Sequence, residues 1–246
     1  MKHAARSLPV VTCLLMLLGC GAAQRGVLYH PTHHINDRGL ARWTQGSALI
    51  GFAREVPAPQ NVWLMLHGNG GQAADRAYAL PSFSANDSIF ILEYPGYGQR
   101  PGLPSRKSID AAAREAYALL RSRFPDTPIC VVAESIGSGP AATLASLDRP
   151  PDKFVFIVPF ESLTAVGRDY VSSSIANPVL AGTWNNATAL AKYHGPLEVF
   201  GAKDDEVIHV RHAQALAKSR PQAKFHLIDG GHNDWASQLS VRIRNP

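Results

Sequence analysis

The chain has 246 residues, 46% of them apolar, which is enough to bury one large core or two smaller ones. Twenty-four Lys and Arg against nineteen Asp and Glu leave a net charge of +5. The positive charges are scattered, with no Lys/Arg block and no interleaved aromatic residues, so no nucleic-acid partner is expected.

The chain opens on a charged start, Met1 to Arg6, followed by the apolar stretch "LPVVTCLLMLLG", then Cys20 and "GAAQ". That order makes residues 1–20 an export signal, too short for a comfortable membrane-spanning helix. "LLGC" at 17–20 resembles a bacterial lipobox. The resemblance implies cleavage before Cys20 and acylation of its thiol, with membrane attachment through the lipid. With no Asp after Cys20, it also implies the outer membrane, facing the periplasm. Cys13 lies inside the signal, so Cys130 is the one cysteine left in the mature domain and no internal disulfide can form. Cys130 sits in an apolar run and is expected to be a small core residue.

Residues 21–46 read as a polar lead-in to a domain at 47–246. His30, His33 and His34 lie in it without a fourth ligand at metal-binding spacing, so a solvated segment is expected and no metal. Apolar runs follow at 48–52, 62–66, 89–92, 129–133, 154–158, 197–200 and 225–228. Most are short and continuously apolar, as in strands covered on both faces. Helical spacing marks 108–124, with Ser108 as N-cap and Asp110 in the first turn, and 209–220. The alternation predicts an α/β fold: a mainly parallel sheet with helices on both faces. In such sheets the site forms at the C-terminal ends of the strands.

Those ends carry chemistry. "ICVVA" runs into Glu134-Ser135-Ile136-Gly137. A serine hydroxyl needs a base and must project from the backbone to act as a nucleophile. A sharp strand-to-helix turn achieves this, and it demands small residues two before and two after, here Ala133 and Gly137. The new helix also aims its first amides at the reacting centre. His232 follows the last strand between glycines and "NDW" and is the expected base; His209, His212 and His226 are its rivals. The acid is Asp204 or Asp205: Asp205 has the better register with Val207-Ile208, and Asp204 the better spacing from Gly201. Asp204, Asp205, His209 and His212 could alternatively hold a metal. The amides of Asn69, in "HGNGG", and of Ile136 would form an oxyanion hole, with His67 bracing the loop. "HGNGG" lacks the pattern of a phosphate-cradling loop.

"LHGNGG", "EYPGYG", A-x-S-x-G, "DDEVI" and "GGHND" occur in the order found in the α/β-hydrolase superfamily, which this chain resembles from about Leu49 onward. They are most similar to the compact branch of Bem46-like and depalmitoylase-like serine hydrolases and, with the lipobox, to bacterial α/β-hydrolase lipoproteins. The resemblance implies Ser135 as nucleophile, Asp205 as acid, His232 as base, and no cofactor. Two positions depart from the pattern: Ala133 for glycine and His209 for proline. The irregular segment 161–195 falls where that superfamily places its cap. Its shortness predicts a small lid, an open pocket and small acyl groups, with Tyr170, Val179, Leu180 and Trp184 as wall or as ordinary packing. The function expected is cleavage of a carboxylic ester or thioester on a small-molecule or acylated substrate. The same triad in amide cleavage or acyl transfer, or a non-catalytic envelope binding module on the same fold, are the alternatives.

Overall fold

The computed structural model describes residues 25–26, 28–238 and 241–244. The expected signal, 1–20 with Cys20, lies outside them. The strands are β1 (His30–Pro31), β2 (Ala41–Gln45), β3 (Ala48–Arg54), β4 (Val62–Leu66), β5 (Gly70–Gly71), β6 (Ser88–Leu92), β7 (Ile129–Glu134), β8 (Phe154–Ile157), β9 (Leu197–Ala202) and β10 (Ala223–Ile228). Eight of them form one sheet in the order β10-β9-β8-β7-β4-β6-β3-β2. All pairs from β10 to β6 are parallel; β3 and β2 add an antiparallel edge.

The unbroken apolar runs follow from burial on both faces. Leu64, Leu66, Val131 and Ala133 belong to one core layer; Trp63, Met65, Cys130 and Val132 belong to the other. Alternate residues therefore face opposite helical layers, and neither face can be polar. Helix α1 (Arg106–Arg123) packs Ile109, Ala113, Ala116 and Leu120 into the first layer. It starts three residues earlier than its spacing predicts. Ser105 is the N-cap, its hydroxyl accepting from the Ser108 amide, while Ser108 returns the bond as the third residue of a capping box. Asp110 instead accepts a 2.8 Å bond from the Trp184 indole.

The segment read as a solvated lead-in is exposed over 33–39, but the stretches on either side of that part pair with the domain. β2 pairs with β3, and Trp43 packs edge-on against Phe90 at 5.0 Å. β1 pairs in parallel with β5, laying His30–Pro31 beside Gly70–Gly71. Short apolar residues interrupted by histidines hid this contact from a periodicity reading. Among the described residues no helix is long and apolar enough to cross a membrane.

The site is positioned by one tight crossing. A Cβ added to Gly137 would stand 2.7 Å from the His67 carbonyl oxygen and closer still to that of Leu66. The turn after β7 is thus pressed against the end of β4. Gly137→Ala should lower stability by about 1–3 kcal/mol, as overpacking does. A urea midpoint shift checks it; an unchanged midpoint would mean the crossing relaxes freely.

Candidate active site

Ser135 leaves β7 with φ of 53°, in the left-handed region that costs an L-residue energy. A 3₁₀ turn over Ser135–Gly137 leads into the short helix α2 (Ser138–Thr143), and the Ser138 hydroxyl donates to the Ser135 carbonyl at 2.7 Å. The strained turn lifts the Ser135 side chain to the C-terminal edge of the sheet, where the loops after β9 and β10 meet it.

His232 lies in the loop after β10. Its Nε2 is 2.9 Å from Ser135 Oγ and its Nδ1 is 2.7 Å from Asp205 Oδ2. With Nδ1 carrying the proton, the ring donates to Asp205 and accepts from the serine hydroxyl. Asp205 is 4% exposed, and its other oxygen accepts from the amides of Val207 at 2.9 Å and Ile208 at 2.7 Å. Three hydrogen bonds thereby hold one carboxylate still. Asp204 is exposed; its amide donates to the Gly230 carbonyl, fastening the β9 loop to the β10 loop. Of the two aspartates, only Asp205 faces His232. The rival histidines go elsewhere: His226 pairs with Glu198, and His209 Nδ1 lies against the Asp205 carbonyl. Among the described residues no cluster of three His, Cys, Asp or Glu side chains is arranged to hold a metal ion. Cys130 is buried, and desolvation pushes its thiol up to about 12, as suits a core residue.

Asn69 and Ile136 both line the cavity at Ser135, and among the described residues no turn or loop hydrogen bond takes up either amide. The loop that carries Asn69 is held from several sides. Tyr94 donates to the His67 carbonyl at 2.8 Å, and Tyr97 donates to Asn69 Oδ1 at 3.0 Å. His67 is fully buried, with Nδ1 2.7 Å from the Gly68 carbonyl, so its place is under the loop. Glu134, the residue before the serine, reaches across to the same loop. It accepts from Arg76 Nε at 3.1 Å, from the Gly68 amide at 3.3 Å and from the Tyr78 hydroxyl at 3.4 Å. Arg76 in turn donates to the Gly70 carbonyl at 2.7 Å. Burial opposes the Arg76 charge, but adjacent Glu134 outweighs it and the net shift is upward. Burial, then Glu134, pushes the Tyr78 hydroxyl well up, keeping it a neutral donor. A buried ion pair therefore ties the two amide-bearing segments together.

Above them stands a cavity of about 1510 Å³, reaching from Ser135 and His232 to the cap. Helices α3 (Leu163–Tyr170), α4 (Ser173–Val179) and α5 (Asn186–Ala189) make up the cap. Leu163, Val166, Val179 and Leu180 present an apolar wall. The cavity exceeds the usual range of ligand pockets, so the short cap does not make a small pocket. Tyr170, Val179 and Leu180 do line the cavity. Trp184 does not: it is 2% exposed and packs against Gly139. Asn186 fastens the cap base, donating to Ser138 Oγ and to the Phe160 carbonyl, both at 2.9 Å.

An α/β-hydrolase from Vibrio vulnificus superposes with a TM-score of 0.63 at 20% identity, covering 78% of this chain and 74% of that one. An esterase from Pyrococcus furiosus superposes at 0.62 with 14% identity, over 85% and 95%. The chain has the α/β-hydrolase fold. In sequence it is 29% identical over 176 residues to an uncharacterised protein of Mycobacterium tuberculosis, covering 70% of this chain and 62% of that one. It is 28% identical over 197 residues to human alpha/beta hydrolase domain-containing protein 17B, covering 74% and 64%. The matched stretch thus spans less than two thirds of these relatives' length. Relatives and structural neighbours together support the α/β-hydrolase superfamily. No family model matches the chain.

Two groups escaped the sequence reading. Arg76, Tyr78 and Glu134 form one; the signal was a carboxylate ending a wholly apolar strand, which demands a buried partner. The other is His212 on helix α6 (Val210–Lys218), 2.8 Å by Nδ1 from Glu161 and 2.6 Å by Nε2 from Asp169. Arg211 also pairs with Asp169. Glu161 precedes α3 and Asp169 lies in its last turn, so His212 fastens the cap to α6. Both ring nitrogens face carboxylates, and only imidazolium satisfies both. Burial lowers the His212 pKa, but the bonds from Glu161 and Asp169 outweigh it and raise it above the ordinary 6.5. A raised folded-state value means the stabilisation is complete below 6.5 and is lost as pH climbs through that value. Across that window the melting temperature should fall more in wild type than in His212→Ala. Parallel profiles would show that His212 is not protonated in the folded state.

Proposed function

We propose that this protein is a serine hydrolase that cleaves a carboxylic ester or thioester, held at the bacterial envelope by a lipid on Cys20. It would belong with the Bem46-like and depalmitoylase-like hydrolases. Ser135 Oγ attacks the acyl carbonyl while His232 Nε2 takes its proton. Asp205 keeps the proton on Nδ1 and stabilises the imidazolium that forms. The amides of Asn69 and Ile136 receive the oxyanion, each such donor being worth about 3 kcal/mol of barrier. His232 then gives its proton to the leaving alcohol or thiol. Water, deprotonated by His232, attacks the acyl-enzyme, and the carboxylic acid departs. No step calls for a cofactor.

The observation that carries this reading is the unbroken line Ser135–His232–Asp205, at 2.9 and 2.7 Å, drawn from three separate strand ends. The volume and apolar wall of the cavity favour acyl groups larger than acetyl. Hydrolase and esterase names among relatives and neighbours support hydrolysis in general terms.

A fluorophosphonate probe should label wild type and leave Ser135→Ala unlabelled. Absence of labelling in folded wild type would overturn the reading in favour of a binding module. Hydrolysis of p-nitrophenyl esters should drop by about 10⁴-fold in Asp205→Asn, whereas Asp204→Asn should stay within about twofold, since that side chain does not face the histidine. Equal losses in both would remove Asp205 from its role.

A further inference from the structure

Among the described residues eight large apolar side chains are exposed, and five of them surround one opening. Tyr78, Tyr170, Val171, Ile175 and Val207 all line the cavity that reaches Ser135. Tyr170, Ile175 and Val207 are 58%, 53% and 51% exposed. They come from three stretches far apart in the chain: the turn after β5, the cap, and the loop that carries Asp205. Apolar side chains spread at random over a surface need no explanation; a ring of them around a cavity mouth does.

The N-terminal segment indicates what covers the ring. Leu28 lines the same cavity. Cys20 lies eight residues before Leu28, preceded by the apolar run 8–19. Eight extended residues reach at most about 28 Å. A lipid carried at Cys20 would therefore hold a membrane within that distance of the cavity wall. Arg25, three residues before Leu28, and Arg168, two before Tyr170, are exposed, as is Asp169; Glu206 lines the cavity.

We propose that the apolar rim formed by Tyr78, Tyr170, Val171, Ile175 and Val207 docks on the surface of the lipid bilayer, so that the cavity opens into it. Moving such side chains out of water into an apolar surrounding is favourable in proportion to the apolar area covered. The lipid on Cys20 supplies attachment, and the rim supplies orientation. The inference rests on the Cys20 anchor of the proposed function and not on its catalytic chemistry.

The test uses the full chain carrying Cys13→Ser, expressed with its native processing and reconstituted in phosphatidylethanolamine/phosphatidylglycerol vesicles. An environment-sensitive fluorophore is attached at Ile175→Cys and, separately, at Asp126→Cys. Asp126 is exposed and precedes β7, at the end of the sheet opposite Ser135. Cys130 is buried and does not compete for the label. Nitroxide-labelled lipids should quench the probe at 175 several-fold more than the probe at 126. Equal quenching, or protein that stays off the vesicles, overturns the proposal. A probe at 175 shielded from nitroxide but in self-contact between molecules assigns the rim to a second copy of the chain and overturns it as well. Fluorophosphonate labelling is read in parallel. Its loss with quenching retained counts against the catalytic reading and leaves the docking surface standing.

Discussion

Ser135 is held at φ of 53° because the chain two residues on can pass within touching distance of the end of β4. Gly137 meets the carbonyls of Leu66 and His67, and a side chain there would push the turn away from them. This single contact does more than present a hydroxyl. Leu66 and His67 lead directly into Gly68 and Asn69, so the crossing also sets the distance between the Ile136 amide and the Asn69 amide. Ser135 and the two amides proposed to receive the oxyanion are thus positioned by one piece of backbone packing, before any side chain contributes.

The side chains then lock what the backbone brings together. Glu134 and Arg76 bridge the same two segments with a buried ion pair that also takes the Gly68 amide and the Gly70 carbonyl. Such a pair adds little net stability over a hydrophobic substitute, since desolvation offsets most of its attraction. What it supplies here is geometry: removing either partner leaves a buried charge, so the segments have no low-energy alternative. Asp205 is treated alike, its second oxygen filled by two amides so that the first points at His232. The cap is tied down by polar contacts at its base, through Asn186, and at its flank, through His212. Five of the eight large apolar side chains exposed among the described residues lie around the opening.

The strands were legible because burial on both faces leaves uninterrupted apolar runs, and the core runs 62–66 and 154–158 coincide with β4 and β8 within a residue. The meeting of Ser135, His232 and an aspartate after β9 was legible because strand ends in a parallel sheet converge. The choice between adjacent Asp204 and Asp205 was not, since it depends on which side of the β9 loop turns inward. The lead-in was misread because two-residue β1 has no periodicity, and β2 shows one buried residue, Trp43, among exposed ones. The size of the cavity under the cap was not legible, because chain length does not say how much space short helices enclose. Val158, a β-branched residue with φ of 46° at the end of β8, has no local sequence signal at all; its conformation is imposed by tertiary packing.

An activated Ser135 has one unavoidable chemical consequence, a covalent acyl-enzyme during turnover. Rapid acid quench of the protein with p-nitrophenyl butyrate, followed by peptide mapping, reads it directly. The peptide containing Ser135 should gain the mass of one butyryl group in wild type, and no peptide should gain it in Ser135→Ala. Ester turnover with no acyl group on that peptide, or with the group on another residue, would contradict the assignment of Ser135 as nucleophile.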